Sequence, residues 1–232
     1  MATFATVRWL GHAAFEVTSS TGTRFLIDPF IKDNPATPES LRSLKRYQGA
    51  DKPTAILVTH AHGDHAGDAL AIAKSTRAPV VGEYDFITSL GLPDAQALGG
   101  NVGGRFAIGG VTVHLVPAIH SSGPSGRPLG FVLDFGGGNV LYDTGDTWIF
   151  GDMALIQELF RPSVILMNMG GGPYTQDPRT AALAVKKYFA PKAIVPFHWG
   201  TFPVLASEAD IRAAFKGDDR LVLLKPGEER AF

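Results

Sequence analysis

The chain has 232 residues, 45% of them apolar and 19% charged, the mix of a soluble globule whose core needs no covalent staples. Its 21 basic residues meet 22 acidic ones for a formal charge of −1, leaving no basic field to hold a nucleic-acid backbone. There is no cysteine, so disulfides are excluded and any metal must be held by nitrogen and oxygen ligands.

Met1 to Arg8 lack the basic stretch and apolar core of a secretory leader, and no apolar run reaches membrane-spanning length. A cytoplasmic protein without a membrane segment is therefore expected. Short runs rich in β-branched residues predict strands at 25–27, 55–58, 111–116, 140–142, 164–166 and 193–195. Residues 32–52, rich in proline and charge, read as a long surface loop. Helical spacing marks 69–74, 153–160, 180–188 and 207–215, the last opened by Ser207 and Asp210 in the pattern of a capping box. Glycine clusters at 99–100, 103–104, 109–110, 136–138 and 170–172 punctuate these runs as turns and site loops. No disordered linker or short-period repeat interrupts them, so one domain over 1–232 is expected. The element order suggests mixed sheets covered by helices, without choosing among layered folds.

The informative feature is where histidine and aspartate fall. His60 follows the strand at 55–58, His120 follows the strand at 111–116, Asp146 follows 140–142, and His198 follows 193–195. Polar residues just beyond apolar strands gather at one rim of a sheet. The segment His60-Ala61-His62-Gly63-Asp64-His65 packs three imidazoles and a carboxylate into six residues, with Ala61 and Gly63 small enough for a tight loop. Imidazole nitrogen suits zinc, and the carboxylate suits the same or a second ion.

This His-x-His-x-Asp-His loop after a strand resembles the signature of the metallo-β-lactamase superfamily, and the resemblance spans nearly the whole chain. Trp9-Leu10-Gly11-His12-Ala13-Ala14-Phe15, Ile27-Asp28-Pro29-Phe30, His120-Ser121-Ser122, Gly145-Asp146-Thr147 and 196–203 are similar to its lactonase-like metal-dependent hydrolase subgroup. The resemblance implies an α+β fold, an αββα four-layer sandwich with the site at one edge of two sheets. It further implies two divalent ions, zinc first with manganese or iron as alternatives. His60, His62 and His120 would hold one ion, Asp64, His65 and His198 the other, and Asp146 would bridge them. The implied activity is hydrolysis of an ester-type bond, a lactone, phosphodiester or similar, in a small substrate. Asp64 would orient the nucleophile or relay its proton. A formal count of two ions, Asp64, Asp146 and hydroxide leaves the site near +1, which favours an anionic substrate.

Several residues keep two readings. His12 either approaches the substrate or is a buried histidine hydrogen-bonded between sheets. Asp28 either orients a ligand histidine or makes a turn before Pro29. Asp143 reads as a residue supporting the ligands or the turn, and His114 as an ordinary strand residue. Tyr174, Trp199 and Phe202 either wall a pocket or pack in the core, while Arg127 and Arg179 read as surface residues. The glycines at 170–172 form a wide turn and not a phosphate loop. Rival functions are an iron-dependent oxidoreductase or dioxygenase on the same scaffold, and a non-catalytic metal-binding protein. A homo-oligomer is the expected assembly, with no nucleic-acid partner.

Overall fold

The computed structural model describes residues 3–232; Met1 and Ala2, where the expected absence of a leader begins, lie outside them. The chain opens with an antiparallel meander of β1 (Ala5–Gly11), β2 (Ala14–Ser19) and β3 (Arg24–Ile27). Burial alternates along β1 and β2, as in strands with one face on the core and the other covered only in part. After two short 3-10 turns (Glu39–Leu41 and Leu44–Gln48) come β4 (Ala55–Leu57), α1 (Gly63–Ala66) and α2 (Ala69–Thr76). Next are β5 (Val80–Glu83), α3 (Tyr84–Ser89) and β6 (Ala97–Gly100). β3, β4, β5 and β6 run parallel.

The second half begins with the antiparallel strands β7 (Arg105–Ile108), β8 (Val111–Pro117), β9 (Leu129–Asp134) and β10 (Val140–Asp143). It continues through α4 (Met153–Phe160), β11 (Val164–Asn168), α5 (Pro178–Tyr188), β12 (Ala193–Phe197) and α6 (Glu208–Ala214). β10, β11 and β12 are parallel and buried along their whole length, because helices cover one face and the other sheet covers the other. β13 (Glu229–Ala231) returns to pair with β1. One sheet thus runs β13-β1-β2-β3-β4-β5-β6 and the other β12-β11-β10-β9-β8-β7.

Three apolar clusters define the layers. The central one joins Val7, Trp9 and Phe15 of the first sheet to Leu115, Phe131, Leu166 and Phe197 of the second. Leu26, Ile56 and Val80 pack outward on Ile72 and Ile87 of α2 and α3. Tyr142, Ile165 and Ile194 pack outward on Ile156, Ala184 and Ile211 of α4, α5 and α6. The result is the expected helix–sheet–sheet–helix sandwich, in which each fully buried large side chain contributes about 1.5–3 kcal/mol.

The helix ends follow their sequences. Asp177 caps α5 through Thr180 N at 2.7 Å with Pro178 at the first helical position, and Ser207 and Asp210 form the reciprocal capping box of α6. Two expectations change. The 32–52 segment is not simply a surface loop, because its second 3-10 turn buries Tyr47 and sets the phenol 2.8 Å from Glu16 Oε1. Gly99 and Gly100 lie inside β6 instead of in a turn; a Cβ there would press on Tyr84 Cα and the Phe106 ring, each at 3.1 Å.

Candidate metal centre

Strand ends deliver the cluster. His12 follows β1, Asp28 follows β3, His60 follows β4, His120 follows β8, Asp146 follows β10 and His198 follows β12. His62 starts α1, and Asp64 and His65 lie in its single turn. Three of these residues hold left-handed backbone angles, with φ of 55° at His12, 43° at Asp28 and 66° at His198. Such strain in side-chain-bearing residues persists only where the surroundings enforce it, which is common at functional sites. Here His198 N donates to His12 O at 2.9 Å, and Trp9 Nε1 donates to the same oxygen at 2.9 Å. Gly170 leaves the room: a Cβ there would collide with His198 Nδ1.

The donor atoms fall into three groups whose members lie within 4.8 Å of one another. They are His60, His62 and His120; His60, His65 and Asp146; and Asp64, His65 and His198 together with His12. Asp146 Oδ2 sits between the sets, 3.1 Å from His198 Nε2, 3.4 Å from His65 Nε2 and 3.7 Å from His120 Nε2. His60 Nε2 lies 2.9 Å from His62 Nδ1. The buried nitrogens His65 Nε2 and His198 Nε2 have no hydrogen-bond partner, although they face carboxylate oxygen. Orphaned buried donors are rare in a folded protein, and imidazole nitrogens converging with carboxylates fit a divalent cation.

A supporting layer fixes these rings. Asp28 Oδ2 is 2.7 Å from His65 Nδ1, so the opposite nitrogen, Nε2, points at Asp146. The same carboxylate accepts from Thr59 N at 2.8 Å and Thr59 Oγ1 at 2.6 Å, and Thr59 Oγ1 stands 3.0 Å from His60 Nδ1. Ser121 Oγ is 3.3 Å from His62 Nε2, and Asn168 Nδ2 donates to Asp146 Oδ1 at 3.3 Å. Sequence reading did not single out Thr59, Ser121 or Asn168 for these roles. Their one signal is adjacency: Thr59 and Ser121 neighbour ligand histidines, and Asn168 ends a strand at the same rim. Asp143 takes no part in the donor groups; its Oδ1 accepts from Gly145 N at 3.0 Å and shapes the turn that presents Asp146.

The charges are strongly coupled. Burial opposes a proton on His198, but the Asp146 carboxylate outweighs it and pushes the imidazole up to about 9. Burial likewise opposes a proton on His65, and Asp146 and Asp28 together raise it well above its ordinary value. Burial raises Asp146, yet the His198 and His65 charges hold it well below the usual carboxylate range. Burial lowers His60 and His120, and it lowers His12 to about 4 despite the Asp64 hydrogen bond. Burial beside Asp28 pushes Asp143 up to about 8, so it is mostly neutral near pH 7. Protons on His65 and His198 thus occupy the role that a cation would take.

A family model for the β-lactamase superfamily domain matches residues 23–199. The chain belongs to the metallo-β-lactamase superfamily. Within this superfamily it is 42% identical to a UPF0173 metal-dependent hydrolase of Anaeromyxobacter sp. (strain K), over 97% of this chain and 86% of that one. A UPF0173 metal-dependent hydrolase of Pyrobaculum islandicum is also 42% identical, covering 96% and 97% respectively. Among solved structures, the metallo hydrolase Igni18 of Ignicoccus hospitalis superposes with a TM-score of 0.85 at 33% identity, covering 98% of each chain. This chain is accordingly a metal-dependent hydrolase of the metallo-β-lactamase superfamily.

In this superfamily member the cluster opens on a cavity of about 580 Å³. Tyr174 and Phe202 line it with Pro173, Val204 and Leu205. Trp199 instead stacks on Trp9 at 5.1 Å as core packing, so the three aromatic candidates divide. His114 is a strand residue against Phe160, as expected. Arg127 and Arg179 are exposed and do not line the cavity. No helix among the described residues is long and apolar enough to cross a membrane.

Proposed function

We propose that this hydrolase works with two divalent ions, one held by His60, His62 and His120 and the other by Asp64, His65 and His198, with Asp146 shared. The observation that carries this reading is the position of Asp146 Oδ2, within 3.7 Å of His120 on one side and of His65 and His198 on the other. Imidazole and carboxylate ligands favour zinc, with manganese or iron as the alternatives. The ions would supply Lewis acidity, generating a nucleophile from water near neutral pH and stabilising charge on the bond under attack. The reaction is hydrolysis of an ester-type bond in a small molecule.

The chain's own groups do the positioning. Asp64 is the ligand carboxylate most open to the cavity, with its side chain 36% exposed. It can take the proton of an attacking water and return it to the leaving group. His12 Nε2 lies 3.0 Å from Asp64 Oδ2 and holds that carboxylate in place, so His12 is a positioning residue that also borders the cavity. Asp28 and Asn168 restrict how the ligands turn.

Elemental analysis of the purified protein, run beside hydrolysis of lactone, carboxylic ester, thioester and phosphodiester probes, tests the proposal. About two zinc or manganese ions per chain with turnover of one bond class is the expected result. A single iron without hydrolysis would replace it with the redox reading.

A further inference from the structure

The cavity has two unlike walls. One is the histidine and aspartate cluster; the other is Pro173, Tyr174, Phe202, Val204 and Leu205. Among the described residues no lysine or arginine lines it, and Arg179 lies on a neighbouring cleft that shares only Val204 and Leu205 with it. The apolar wall is left open to solvent, with Tyr174 exposed at 62%, Val204 at 51% and Phe202 at 38%.

That wall is built firmly. It comes from the loop after β11 and the loop after β12, which are laced together where Ala206 N donates to Gly170 O at 2.8 Å. Gly200 N donates to Ala206 O at 3.0 Å, and Leu205 N to Phe202 O at 3.0 Å. A Cβ on Gly172 would stand 2.9 Å from Val204 O, so the two backbones meet where only glycine fits. Phe202 sits edge-on to His12, with centroids 5.5 Å apart, which ties the apolar wall to the reacting side.

Charge points the same way. A substrate anion would find no guanidinium or ammonium on this wall to pair with.

We infer that the site takes an uncharged carboxylic ester or lactone whose aryl or branched alkyl group packs between Tyr174 and Phe202, with the ester carbonyl facing Asp146. This deepens the proposed function and rests on it for the reaction. Water oxygen bonds to the carbonyl carbon, the carbon–oxygen bond to the alkoxy group breaks, and one proton leaves with the alcohol while the acid ionises. The carboxylate product meets an apolar wall without a cation, so that wall does not retain it.

The test uses the metal-replete protein with 4-nitrophenyl phenylacetate and the anionic 4-nitrophenyl hemisuccinate, which share a leaving group. The neutral aryl ester should be favoured at least about tenfold in kcat/KM, and Phe202→Ala should erase about tenfold of that through KM. Binding is read separately by saturation-transfer NMR with phenylacetone and phenylacetate, neither of which can be hydrolysed. The ketone should bind, and its signal should fall in Phe202→Ala. Preference for phenylacetate, or ketone binding indifferent to Phe202→Ala, would overturn the inference even with hydrolysis intact. Ketone binding without turnover of any ester would remove the hydrolytic reading and leave the apolar subsite standing.

Discussion

Asp28 Oδ2 stands 2.7 Å from His65 Nδ1, and both residues are buried, at 1% and 0% exposure. The carboxylate reaches His65 because Asp28 takes a left-handed turn, with φ of 43°, where β3 ends. The turn and the support of a ligand histidine, which the sequence presents as rival readings of Asp28, are one device: the turn aims the carboxylate. By accepting from Nδ1, it leaves the Nε2 lone pair free for a cation.

Asp28→Asn should therefore weaken metal binding by about 10- to 100-fold while far-UV circular dichroism stays unchanged. Competition with a chromophoric chelator measures the affinity. Equal affinities in the two proteins would reduce Asp28 to a turn residue.

Metal binding should expel protons. Asp146 raises His198 to about 9, and Asp146 with Asp28 raises His65, so both imidazoles hold protons near neutral pH in the metal-free protein. A cation needs the same nitrogen lone pairs. Calorimetry in buffers of different ionisation enthalpy should report about two protons released per chain near neutral pH. Apparent affinity should rise with pH until the solution passes the raised His198 value near 9. Zero proton release would contradict the assignment of these two histidines as ligands.

His12→Gln keeps the backbone carbonyl that pins His198 and Trp9 but loses the imidazole 3.0 Å from Asp64. Turnover should fall by about 10- to 100-fold with KM little changed and metal content retained. Because burial keeps His12 neutral, with its proton lost above about 4, the variant and the wild-type protein should show pH profiles of the same shape near neutrality. Full activity in His12→Gln would leave this histidine a purely structural role.

Gly145→Ala probes the turn that presents Asp146. Gly145 has a φ of 57°, and a Cβ there would lie 2.5 Å from Leu129 O, a backbone atom that cannot swing away. Overpacking with an unfavourable backbone angle should cost about 2–4 kcal/mol, read as a lower midpoint in urea. A midpoint equal to wild type would show that the β9–β10 end yields more easily than its packing implies.

The fold was legible where apolar runs are dense. β3, β4, β10, β11 and β12 stand out because nearly continuous burial demands continuous hydrophobicity, β8 by its alternation and four helices by the spacing of one buried face, whereas β9, equally apolar, was not singled out. β6 and β7 escaped notice because glycine-rich or half-exposed residues become strands there only through pairing with β5 and β8. β13 is exposed along its length and exists as a strand only by pairing with β1. α1, a single turn, is folded by the histidine loop around it and carries no periodicity to detect.

By itself the sequence determined the chemistry on offer: with no cysteine and with histidines and aspartates placed just beyond apolar strands, any metal had to meet nitrogen and oxygen at a sheet rim. Local spacing cannot say which nitrogen of a ring faces inward or what stands behind it. Only the tertiary structure set Asp28, Thr59, Ser121 and Asn168 behind the ligands and Asp146 between them. It also placed Phe202 in the cavity and Trp199 in the core, three residues apart in the chain. The physical reason is that orientation and burial come from contacts between strand ends far apart in sequence, and those exist only when the two sheets close on each other.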